Sequence, residues 1–233
     1  MSEEQEKQWK QIGFDTLEKF DDICKKHKMK YYVDWGTLLG WHRDQDFLPN
    51  DGDLDVTIPI QYVTPEFLKE IKEAFLVNGI GCNCDTKIFT LIDGAEEIGA
   101  VHGLQCYLPK TETSKSKRKV KGRSFFIDLW FAYPVRGDYF VMWGNHPFKI
   151  PGKYLEKLSD VKIGSRTYKA PAPIDDYLSW LYIGTWKTPI KKFGWSQYEE
   201  KKDEYFLEDI DKPRGFIKNY TYNFKTNKYK LNT

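Results

Sequence analysis

The chain has 233 residues, a formal net charge of +2, 16% aromatic residues and eight tryptophans. That length holds one sizeable core, and the near-neutral balance excludes a nucleic-acid binder that relies on a broad basic surface. No run of ~18 apolar residues exists, and the N-terminus Met-Ser-Glu-Glu-Gln-Glu-Lys is charged where a signal peptide is apolar. The expectation is a soluble, cytoplasmic protein of one domain over 1–233, with no transmembrane segment and no nucleic-acid partner.

Taken in order, Glu3 to His27 reads as an amphipathic helix, with Trp9, Ile12, Leu17, Phe20 and Cys24 on one stripe. Met29 to Trp35 is a short β-rich run. Gly36-Thr37 then opens a tight turn into a short helix ending near His42, whose N-terminal amides would face an anion such as a phosphate. After the turn Pro49-Asn-Asp-Gly52 the chain enters Asp53-Leu-Asp-Val-Thr-Ile58. Strand alternation there puts Asp53 and Asp55 on one face and Leu54 and Val56 on the other. Two carboxylates beside a phosphate-sized turn are the oxygen ligands that Mg²⁺ or Mn²⁺ takes. An isolated Asp-x-Asp also fits a solvated turn, and the glycine turn upstream is what favours the site.

Thr64 to Gly79 has the marks of a helix: Thr64 at the N-cap, Pro65 in the first turn and Asn78-Gly79 at the stop. Short β-rich runs follow at 87–92, 101–108, 124–131 and 138–143, and their short links predict an antiparallel meander. Asp128 stands inside the third of these, an otherwise apolar strand, where a buried carboxylate is costly unless it is paired or binds a metal. It is either the third carboxylate of the cation site or an Asp bonded to an arginine or to backbone. Between the second and third runs, 109–123 is polar and basic, a loop that either closes over a diphosphate or is solvated. The stretch 148–173 reads as β structure around a Gly164-Ser165 turn, 173–183 as a helix and 194–209 as a charged helix, with 213–233 a partly ordered tail. Cys24, Cys82, Cys84 and Cys106 are too few and scattered for a disulfide framework or a zinc site, and the sequon at Asn219 has no secretory context.

Gly36-Thr37 followed by Asp53-x-Asp55 resembles the Gly-Ser/Thr…Asp-x-Asp signature of the nucleotidyltransferase superfamily. The longer string Gly36-Thr-Leu-Leu-Gly-x-x-Arg43…Phe47-x-Pro49-x-Asp51-x-Asp53-x-Asp55-Val56 resembles its LicD/fukutin branch, and the likeness runs from about 30 to 189. The family pattern is Trp-Asp-Asp-Asp-Ile-Asp; here Asn50 and Gly52 replace the Trp and one Asp, while Asp51, Asp53 and Asp55 remain. The resemblance implies an α/β (α+β) fold with a mixed, largely antiparallel sheet flanked by helices, a catalytic core over about 29–190 and a C-terminal helical extension. It implies a transferase that moves a phosphorylated alcohol, such as phosphocholine or ribitol phosphate, from a CDP donor to a glycan hydroxyl.

On that reading Asp53, Asp55 and Asp128 would together hold one or two Mg²⁺ (or Mn²⁺), close enough to share a cation. Gly36, Thr37, Asp51 and His42 would bind the donor, Gly36 and Thr37 at its phosphates, and Arg43 would meet charge building on the leaving group. Surface pairing is the alternative for Arg43, and packing the alternative for His42. Nucleotidyl transfer at the α-phosphate of a nucleoside triphosphate is a second enzymatic reading. A binding module that kept the fold and lost the chemistry is a third, and the three intact aspartates argue against it.

Overall fold

A capping box starts the first helix. Ser2 accepts the Gln5 amide, the Gln5 side chain accepts the Ser2 amide, and α1 (Glu3–Lys26) buries Trp9, Leu17, Phe20, Ile23 and Cys24 along the expected stripe. The computed structural model describes residues 2–49, 51–78, 86–90, 97–101, 103–107, 126–135, 137–143, 146–190, 197–198, 201–205, 216–217, 220–223 and 228–231. The β-rich run after α1 yields only β1 (Tyr32–Val33), because Asp34 leaves the strand to cap α2 (Trp35–Arg43). In β2 (Asp53–Pro59) the alternation holds: Leu54, Val56 and Ile58 are fully buried. Each such burial contributes roughly 1.5–3 kcal/mol.

Thr64 accepts the Phe67 amide and Pro65 opens α3 (Pro65–Ala74), but the helix ends before the expected Asn78-Gly79 stop. Phe75 turns extended and is buried, and β3 (Leu76–Asn78) pairs instead with the strand that carries Cys106, so ladder bonds replace the last helical turn. The strands that follow are β4 (Thr86–Thr90), β5 (Glu97–Val101), β6 (Gly103–Tyr107), β7 (Phe126–Val135), β8 (Asp138–Trp143) and β9 (His146–Ile150). The predicted meander is realised in part. β6 to β9 pair antiparallel in succession, whereas β4 and β5 pair with each other away from the main sheet. The main sheet has the order β1-β2-β7-β6-β3, with β8 and β9 continuing from β7, and among the described strands only β2 and β7 run parallel. It is the mixed, mostly antiparallel sheet of the expected fold class, with α1 packed against β2, β7 and α3.

That single parallel pairing positions the site. β7 is ten residues long: its first half lies between β2 and β6, and Tyr133 to Val135 pair with β8. Ile127, Leu129 and Phe131 are buried, while Asp128 and Trp130 alternate with them and are half-buried.

The hairpin around Gly164-Ser165 is formed by β10 (Leu158–Ile163) and β11 (Arg166–Pro171), and α4 (Ile174–Leu181) follows. Within the helix expected over 194–209, residues 197–198 and 201–205 are described, and α5 (Lys202–Tyr205) is the α-helix among them. The expected tail carries β12 (Phe216–Ile217), paired with β4, and the hairpin β13 (Tyr220–Asn223) with β14 (Lys228–Leu231). The basic stretch 109–123, Cys82, Cys84 and Asn219 lie outside the described residues. Among the described residues no helix is long and apolar enough to cross a membrane.

Candidate functional site

Asp34 organises the turn that begins the site. Its carboxyl is fully buried and accepts from the Trp35 amide (2.8 Å), the Thr57 hydroxyl (2.8 Å) and the Tyr177 hydroxyl (2.6 Å), so it ties α2, β2 and α4 together. Burial pushes its pKa up to about 6, partly offset by those three donors. Trp35 follows in the left-handed region, at φ 44°, which costs a bulky residue on the order of 1–2 kcal/mol. Packing holds it there: its ring lies 5.0 Å from that of Phe148 and 6.1 Å from that of Trp130.

The next two residues both bind Asp55. The Gly36 amide donates to Asp55 Oδ2 (3.1 Å), and the Asp55 amide donates to Thr37 Oγ1 (2.7 Å). A Cβ at position 36 would lie 2.6 Å from Asp51 Oδ2 and 3.3 Å from Asp55 Oδ2, so only glycine leaves both carboxyl groups in place. The anions gathered at this helix start are therefore the protein's own, Asp34 and Asp55. Gly36 and Thr37, expected to meet a donor phosphate, are both bonded to Asp55, and Thr37 is 4% exposed.

The β2–β7 register sets Asp55 directly beside Asp128, with Asp53 two residues before Asp55 and Asp51 on the approach to the strand. All four carboxyl groups line one pocket of about 690 Å³, together with Trp35, Trp130 and Arg43. Trp130 Nε1 donates to Asp55 Oδ1 (3.1 Å). Burial raises the Asp55 pKa well above the usual carboxylate range, and Asp53, Asp128 and Asp51 add to the rise against the Trp130 bond. Burial likewise lifts Asp51 to about 8, with Asp53 beside it the next cause. Among the described residues lining the pocket, Arg43 is the one cationic side chain. Its Nε and Nη2 are taken by Asp44 (2.9 and 2.7 Å) and its Nη1 donates to the Trp186 carbonyl (3.0 Å).

Hard oxygen ligands crowded at the foot of a pocket, with so little positive charge supplied by the chain, suit a divalent cation. Among the described residues, however, no group of three or more His, Cys, Asp or Glu side chains stands drawn together to hold a metal ion. The three aspartates thus share the pocket without the shared-cation contact expected of them. His42 stands outside the pocket lining: its Nε2 pairs with Asp175 Oδ1 (2.6 Å) and its ring lies 5.5 Å from that of Trp186.

Three contributors escaped the sequence reading. Asp34 precedes the helix start and its position as N-cap was legible, but its buried partners come from distant elements. Trp130 lies two residues after Asp128 and so shares its face, a signal strand alternation carries. The pocket lining contributed between Tyr182 and Ile190, with Tyr198, carries no chemical motif.

The family described as LicD/FKTN/FKRP, nucleotidyltransferase domain, matches residues 28–173, more than half of the chain. No curated protein matches the sequence.

Proposed function

The chain belongs to the LicD/FKTN/FKRP family of nucleotidyltransferase domains, and from that premise we propose that it is a cation-dependent transferase which moves a phosphorylated alcohol from a CDP-linked donor to a sugar hydroxyl. The observation that carries the reading is the convergence of Asp51, Asp53, Asp55 and Asp128 on one pocket in which Arg43 is the single described cationic side chain. Asp53, Asp55 and Asp128 are the residues that would hold Mg²⁺ or Mn²⁺, by rotation of their side chains. A divalent cation held there would supply charge neutralisation for the donor diphosphate.

The chain's own residues supply the rest. The Gly36 amide holds the Asp55 carboxylate and the Thr37 hydroxyl accepts the Asp55 backbone amide, so the two residues fix Asp55 in place. Arg43 keeps two guanidinium N–H groups beyond the three used by Asp44 and Trp186, and those meet charge that develops on the departing nucleotide. One carboxylate of the cluster takes the proton of the attacking sugar hydroxyl. The apolar surroundings, Trp35 and Trp130 above all, limit water that would otherwise compete as acceptor.

A donor screen tests this. The protein is offered CDP-choline, CDP-ribitol and CTP with simple sugars, in Mg²⁺, Mn²⁺ or EDTA. CMP released from a CDP-alcohol only with the cation is the expected result. Pyrophosphate from CTP instead identifies nucleotidyl transfer, and nucleotide binding with no turnover identifies a binding module.

A further inference from the structure

The part of the pocket lining contributed by the chain after α4 differs from the aspartate cluster in both chemistry and origin. Tyr182, Thr185, Thr188, Pro189 and Ile190 build it, and all five lie beyond the family-matched residues 28–173. None is charged, and the last four are exposed, Ile190 at 46%.

The wall is held in shape before any ligand arrives. After α4 the chain turns through Ile183 and Gly184, both in the left-handed region (φ 52° and 75°), and the Gly184 amide donates to the Ser179 carbonyl (2.7 Å). The Thr185 amide and hydroxyl both donate to the Tyr182 carbonyl (3.0 and 2.7 Å), and the Thr188 amide to the Thr185 carbonyl (3.3 Å). Trp186 is the anchor. It is 7% exposed, its Nε1 donates to Ser179 Oγ (2.9 Å), its carbonyl accepts from Arg43, and its ring rests on His42. A preorganised surface loses little entropy on binding, which is what a selective contact requires.

We infer that the 182–190 segment is the acceptor-selecting element of the site, and that Thr188 and Ile190 on it favour an uncharged, hydroxyl-bearing ring. The inference rests on the transfer reading above, which demands two ligands in one pocket. A donor diphosphate belongs with the bound cation and Arg43, since the five lining residues of this segment are uncharged and Lys187 between them, its Nζ 5.4 Å from the Trp186 ring, is not among the residues that line the pocket. The neutral partner is left for that wall, where Pro189 and Ile190 cover the C–H face of a ring and the Thr188 hydroxyl meets its edge.

The test uses full-length protein with Mg²⁺, the CDP-alcohol that the donor screen selects, neutral methyl glycosides of glucose, galactose and N-acetylgalactosamine, and methyl glucuronide as the charged arm. Ile190→Ala and Thr188→Ala, both at exposed positions, are compared with the unaltered chain, and donor hydrolysis without acceptor is followed in parallel. The KM for the best neutral glycoside is expected to rise about tenfold in Ile190→Ala, while donor KM, kcat and hydrolysis stay within about twofold. Thr188→Ala is expected to move the same constant in the same direction. Overturning results are a rise in donor KM instead, no change in either variant, or transfer only to the glucuronide or to none of the glycosides while donor is consumed. Protein that neither transfers nor hydrolyses any donor removes the transfer reading itself and this inference with it, an outcome distinct from an active enzyme whose acceptor KM ignores the wall.

Discussion

At Gly36 the requirement is space. Its backbone is ordinary helix, but any Cβ would press on the Asp51 carboxyl, 2.6 Å away. Gly36→Ala adds a better helix former at little cost to folding, so its thermal midpoint is expected to hold or rise slightly while cation-dependent turnover falls at least about tenfold. An unchanged rate would show that Asp51 moves aside freely. The same cluster predicts a pH signature. Asp34 and Asp51 bind their protons more tightly folded than unfolded, so their contribution is complete below the ordinary carboxylate pKa of 3.8. It is lost as pH rises through about 6 for Asp34 and about 8 for Asp51. In EDTA the folded state is therefore expected to lose stability from about pH 4 to 8, and Asp51→Asn to flatten the upper part of that fall. Denaturant midpoints measured across this range check it, and a profile identical in both proteins would contradict the shift assigned to Asp51.

The α2–β2 clip is the element on which the site depends. Thr37 Oγ1 is the acceptor for the buried Asp55 amide, so Thr37→Val leaves that donor unsatisfied at nearly constant volume, at a cost of about 1–3 kcal/mol. Urea unfolding of the variant measures it, and a loss well under 0.5 kcal/mol would mean that the amide finds another acceptor. Arg43→Ala belongs to the same element. It is expected to slow turnover by about 2–4 kcal/mol of transition-state stabilisation, with acceptor binding also disturbed because Trp186 loses a tether. A full rate would reduce Arg43 to its pairing with Asp44. Part of this element was readable from sequence: the short helix ending near His42 and the Asp53/Asp55 alternation are local signals, whereas the tight turn expected at Gly36-Thr37 is instead the first turn of α2. The use of Thr37 was not. Whether its hydroxyl faces a ligand or the Asp55 amide depends on how β2 lies against α2, which local pattern does not carry.

For the whole molecule, element types were legible wherever period and capping agreed, as in α1 and the start of α3. Pairing was harder. β4 and β5 have the composition of sheet strands, and nothing local distinguishes joining β6 from pairing away from the main sheet. The parallel pairing of β2 with β7 joins residues some seventy positions apart and makes Asp55 and Asp128 register partners, which the expected antiparallel meander did not contain. That juxtaposition leads directly to the decisive measurement, Mg²⁺-dependent release of CMP from a CDP-alcohol by the unaltered chain and by Asp128→Asn, at matched thermal midpoints. The account predicts cation-dependent release by the first and none above background by the second. Release by Asp128→Asn at the full rate, or release by the unaltered chain that EDTA leaves untouched, would contradict it.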